Sequence, residues 1–97
     1  MIGVFRINSA NIAKVIDRLV KKAAVAENLG CYEDAQEIIF KDIKGIFDRS
    51  INIVKNYSSG KGEAEKIKLE NYKREFCRTD LFRQVSARVD VYYVTYY

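Results

Sequence analysis

The stretch Lys22-Ala23-Ala24-Val25-Ala26-Glu27-Asn28-Leu29-Gly30-Cys31-Tyr32-Glu33-Asp34-Ala35 constrains the fold more than any other. Apolar and small residues recur at helical spacing up to Leu29, stop at Gly30 and resume at Ala35. A glycine at such a point suits the C′ position, where a left-handed backbone closes a helix. Ala23, Ala26, Gly30 and Ala35 are small enough for two helix backbones to approach closely beside the turn. The expected product is an antiparallel helical hairpin.

On the N-terminal side, Ile12, Val15, Ile16, Leu19, Val20, Ala23 and Ala26 repeat every three or four residues, the mark of an amphipathic helix. Asn8 and Ser9 are good N-caps for it. On the C-terminal side, Ala35, Ile39, Ile43, Ile46, Phe47, Ser50, Val54 and Tyr57 form a second stripe, widened by Ile38, Phe40, Ile51 and Ile53. Glu33 and Asp34 fall in the first turn, where the helix dipole favours acids. Gly45 lies inside this helix at a cost of about 1 kcal/mol relative to alanine, which implies close packing against another backbone. Ser58-Ser59-Gly60-Lys61-Gly62 reads as a loop and lacks the spacing of a phosphate-binding loop. A third helix follows, with Ile67, Leu69, Tyr72, Phe76, Leu81, Phe82 and Val85 on its buried side. The expectation is one mostly α domain over residues 1–97, a three-helix antiparallel bundle with helices at about 9–29, 32–58 and 63–86. Short strands at 2–7 and 89–97 give the order β-α-α-α-β.

The absence of histidine and the scarcity of cysteine narrow the chemistry. The two cysteines, Cys31 and Cys77, form no disulfide framework. Without histidine, a zinc site would need clustered acids or thiolates, and none cluster here. General acid–base catalysis also loses its usual residue. The expectation is therefore a chain that is not an enzyme, with no catalytic residue, cofactor or metal. No apolar run approaches the length of a membrane span, and the first residues lack the pattern of a secretion signal, so a cytoplasmic location is expected.

The formal charge of +4 is uneven. Residues 61–88 carry eight Lys and Arg against five Asp and Glu, whereas residues 31–60 carry four against five. Lys66, Lys73, Arg74 and Arg78 are candidates for a basic face toward a phosphate backbone. The uncharged run Val91–Tyr97 holds Tyr92, Tyr93, Tyr96 and Tyr97, candidates for the interface of a homo-oligomer because aromatic residues are enriched in interface cores.

The Lys22–Ala26 segment followed by Gly30-x-Tyr32-Glu33-x-Ala35, with Leu69-x-x-Tyr72 on the third helix, resembles the microtubule-interacting and transport (MIT) domains. The turn is also similar to that of tetratricopeptide repeats. The chain departs from the MIT pattern at Ile39, Asp42, Arg74 and Phe76, where that family often has tyrosine, alanine, an acidic residue and alanine. The resemblance implies binding of helical tail peptides of endosomal-sorting filament proteins in grooves beside the third helix. The leading expectation is a small non-enzymatic adaptor that binds a helical peptide or partner protein through Ile43, Phe47, Tyr72 and Phe76. The alternative is a nucleic-acid-associated small protein of a virus or mobile element.

Overall fold

The computed structural model describes residues 8–57 and 60–89. The regular elements among them are helical: α1 (Ser9–Asn28), α2 (Tyr32–Glu37), a π-helical segment (Ile38–Ile43), α3 (Lys44–Lys55), α4 (Gly60–Phe76) and α5 (Asp80–Ser86). The mostly α class follows directly. The expected strand at 2–7 and all but the first residue of the one at 89–97 lie outside the described residues. Val89 itself sits in a bend, its N–H donating to the Ser86 carbonyl.

Local chemistry explains where α1 starts and stops. The Asn8 side chain accepts from the N–H groups of Ala10 at 2.8 Å and Asn11 at 3.1 Å, satisfying two donors that a helix start leaves free. At the other end Gly30 adopts φ +78°. Its N–H donates to Glu27, and the Cys31 N–H donates to Ala26 at 2.8 Å. These paired bonds form a Schellman motif, and they turn the chain back onto α1.

From Tyr32 to Lys55 the backbone stays helical, but its middle is wound more loosely. The Lys44 N–H reaches back five residues to the Ile39 carbonyl. The wider turn keeps Ile38, Ile39, Ile43, Phe47, Ser50 and Val54 directed inward along the whole rod.

The expected third helix is broken. α4 ends at Phe76, and Thr79 starts α5 as its N-cap, accepting from the Phe82 N–H at 3.3 Å while donating its hydroxyl to the Phe76 carbonyl at 2.7 Å. The break lets α5 fold across α2. α4 also begins earlier than expected, inside the Ser58–Gly62 stretch that reads as a loop.

The core joins Ile16 and Ala23 of α1, Ala35 of α2, Ile38, Ile39 and Ile43 of the π segment and Phe47 of α3. Phe76, Cys77 and Val85 close it from the other side. Three expectations are corrected here. Ile67 is 48% exposed, because it lies two residues, roughly 200°, around the helix from buried Leu69. Val15 is likewise exposed, one position off the line through Ile16. Gly45 does not meet another backbone: a Cβ there would touch only the flexible Arg49 side chain. The close approach is at Gly62, where a Cβ would lie 2.5 Å from the Val54 carbonyl oxygen and 2.9 Å from Tyr57 Cβ.

Candidate functional site

The four candidate partner-binding residues meet in space. Phe47 lies 5.7 Å from the Tyr72 ring and 6.4 Å from Phe76, and Phe76 lies 5.6 Å edge-on to Phe82. These separations suit aromatic packing in a core. Ile43 and Phe47 are fully buried and Phe76 nearly so. Tyr72 alone is half-buried, and its hydroxyl donates to Asp17 at 2.6 Å. Burial, then this bond to a carboxylate and its charge, push the phenol well above its ordinary pKa. Tyr72 and Phe76 border a small cleft of about 230 Å³ against Asp17 and Val20 of α1.

The four basic candidates form no common face. Lys73 is largely buried and points at Asp48, 3.3 Å away, which also accepts from Lys44 at 2.8 Å. Burial pushes the Asp48 carboxyl up, but the hydrogen bond from Lys44 and the charges of Lys73 and Lys44 outweigh it and leave the pKa below its ordinary value. Arg74 is exposed and donates to Asn71. Lys66 is half-buried in α4, whereas Arg78 is exposed beyond the end of that helix. Tyr92, Tyr93, Tyr96 and Tyr97 lie outside the described residues. Cys31 is exposed and Cys77 is buried. Among the described residues no three potential metal ligands come together, and no helix is long and apolar enough to cross a membrane.

An open surface lies instead on the hairpin. α1 and its C-cap contribute Lys22, Val25, Ala26 and Leu29 to one wall of a groove of about 510 Å³, Asp34, Glu37, Ile38 and Asp42 form the other, and Cys31 also lines it. Val25 is 57% exposed and Leu29 73% exposed. Neither residue is among the sequence candidates, because both continue the pattern of a helix most of whose other apolar residues are buried or partly buried. The discriminating signal is positional: Val25 and Leu29 sit four apart, next to the buried line Ile16, Ala23 and Glu27 and not on it.

Glu27 is the second residue that sequence reasoning missed. It occupies the next i+4 position after Ala23 on the inward stripe, and it is buried. Its Oε2 pairs with the Arg88 guanidinium, which also lies 4.1 Å over the Tyr32 ring. Its Oε1 has no hydrogen-bond partner among the described residues. The clamp ties the end of α5 to the beginning of α2 and the end of α1. A buried carboxylate so paired is strongly disfavoured when its partner is removed.

Compared with protein-family models, curated proteins and solved structures, the chain matches none.

Proposed function

We propose that the chain is a small non-enzymatic protein-interaction module that receives a helical peptide or a helical segment of a partner protein. The observation that carries this reading is the α1–α2 groove, where Val25 and Leu29 stay exposed beside an apolar floor. A helix presents apolar side chains at i, i+3, i+4 and i+7 to such a groove. The MIT resemblance implies the same mode of binding, beside the third helix. Engagement of Lys73 by Asp48 favours this reading over the nucleic-acid alternative, since it withdraws one of the four cations that would contact phosphate.

The wider proposal keeps the chain cytoplasmic, without a cofactor, and homo-oligomeric through Tyr92, Tyr93, Tyr96 and Tyr97. In it the helices form an antiparallel bundle whose third rod is broken at Cys77–Thr79. Terminal strands at 2–7 and, past the bend at Val89, in the remainder of the 89–97 segment complete a β-α-α-α-β order. Backbone amide NMR with an added amphipathic helical peptide tests the binding reading. Shifts concentrated on Val25, Leu29 and Ile38 are the expected result. Shifts confined to α4, or none at millimolar peptide, would overturn it.

A further inference from the structure

The groove has charged walls of opposite character. Asp34, Glu37 and Asp42 line the α2 and π side, and Lys22 stands opposite on α1. Three carboxylates against one ammonium leave a formal charge of −2 around this groove, in a chain whose total is +4. Glu37 is already engaged by Lys41 at 3.6 Å. Asp34 and Asp42 are exposed and have no ion-pair partner among the described residues.

Lys22 and Leu29 are seven residues apart, about 10 Å along the helix, and Asp34 and Asp42 are about 12 Å apart on the facing wall. Two turns of a partner helix fit these lengths. Its apolar side chains would cover Val25, Leu29 and Ile38. Residues on its flank about seven apart would stand against Asp34 and Asp42.

We infer that the occupant of this groove is a short amphipathic helix of another protein carrying Lys or Arg on the flank that faces Asp34 and Asp42. The inference rests on the groove-binding reading above and adds the partner's charge and orientation. An acidic helix is repelled by that wall, and a neutral one leaves both carboxylates without partners. The contribution of such exposed pairs is modest and salt-screened, so it shows in discrimination between partners more than in total affinity.

The test uses the full chain and three synthetic helical peptides that share one leucine face and differ only in flank residues: lysine, glutamine or glutamate. The lysine peptide is expected to bind tightest. Its affinity should fall about five- to tenfold in the double variant Asp34→Asn/Asp42→Asn, as two surface pairs predict. It should fall comparably between about 50 and about 500 mM salt. The glutamine peptide should be insensitive to both changes. Amide shifts should map each bound peptide to the groove.

Equal binding of lysine and glutamine peptides at Val25 and Leu29 would overturn the basic partner and leave the groove reading standing. Preference for the glutamate peptide would do the same. Binding of none of the three would overturn both. A dimer of the chain alone that disappears in Leu29→Ser would assign the groove to a second copy and overturn the separate partner.

Discussion

Phe47, in the seam between α3 and α4, is fully buried, whereas Leu29, at the mouth of the α1–α2 hairpin, is 73% exposed. Both are large apolar residues, Phe47 within amphipathic α3 and Leu29 at the C-cap of amphipathic α1. The seam sets Phe47 against Tyr72 and Phe76 and draws Asp48, Lys44 and Lys73 into an ion-pair cluster along its edge. The hairpin is held by other means: the Schellman turn at Gly30, small alanines between the helices and the Glu27–Arg88 clamp. Having small residues at its contact line, the hairpin leaves its larger ones, Val25 and Leu29, at the rim. One region converts apolar area into stability, and the other keeps it accessible.

The sharpest way to break this comparison is to cut into the seam. Phe47→Ala should cost about 3–5 kcal/mol, the range for emptying a buried aromatic site. A guanidinium melt would show a lower midpoint for Phe47→Ala. A loss below about 1 kcal/mol would mean that the seam is not where the stability resides.

The clamp is the next lever. Arg88→Ala leaves Glu27 buried with its carboxylate unpaired and should cost about 2–3 kcal/mol, less than a fully buried pair because Arg88 is partly exposed. Adding Glu27→Leu to that variant should restore part of the loss, since an apolar side chain carries no desolvation penalty. Arg88→Lys should recover only part of it, because an ammonium keeps a charge for Glu27 but does not stack on Tyr32 as a guanidinium does. Additive losses for Arg88→Ala and Glu27→Leu in a double-mutant cycle would sever the coupling.

The hairpin and the class of fold were legible because their signals are local. Gly30 follows an apolar repeat, and only a residue at ease with positive φ fits there. Asn8 precedes a repeat as a good cap. The break at Cys77–Thr79 was not legible as a boundary, since no glycine or proline marks it and the apolar spacing runs through Phe76, Leu81 and Phe82. Thr79 followed by Asp80 is the cap signal that a reading of apolar spacing passes over. The π segment escaped because one looser turn leaves the i, i+4 spacing of Ile39, Ile43 and Phe47 unchanged. Glycine misled at Gly45 and informed too little at Gly62, because backbone proximity is a tertiary fact. Glu27 and Arg88 are 61 residues apart, and no pattern within a helix pairs them. The site candidates failed to separate core from surface for the same reason: periodicity tells which face turns inward, and the neighbouring helices decide how much of it is covered.

A smaller effect tests how α1 is anchored on the seam side. The Ser9 N–H donates to Glu65 at 2.8 Å, which lowers the carboxyl's pKa below its ordinary value of 4.5. The folded form therefore binds this proton less readily than the unfolded chain. The contribution is complete above about pH 4.5 and is lost as the pH falls through the lowered folded pKa. Glu65→Gln should cost about 1 kcal/mol at pH 7, the net contribution of one such bond. The gap between variant and parent should close in acid. An equal gap at pH 7 and at pH 3 would show that the carboxylate's charge plays no part.

The smallest expected change bears hardest on function. Leu29→Ser removes a side chain that is mostly exposed, so the stability of the chain should move by less than about 0.5 kcal/mol. Exposure of 73% means that little of this side chain is withdrawn from water on folding. An apolar residue kept at such a place contributes to the free chain only unfavourable hydration, and covering it with a partner reverses that. Binding of a helical peptide in the groove should therefore weaken by about tenfold, the value of burying roughly half to two-thirds of a leucine. The two measurements must separate. Loss of stability in step with loss of binding would place Leu29 with Phe47 as a core residue and erase the distinction between the regions. Unchanged stability with weakened binding would fix the hairpin groove as the surface this fold keeps for a partner.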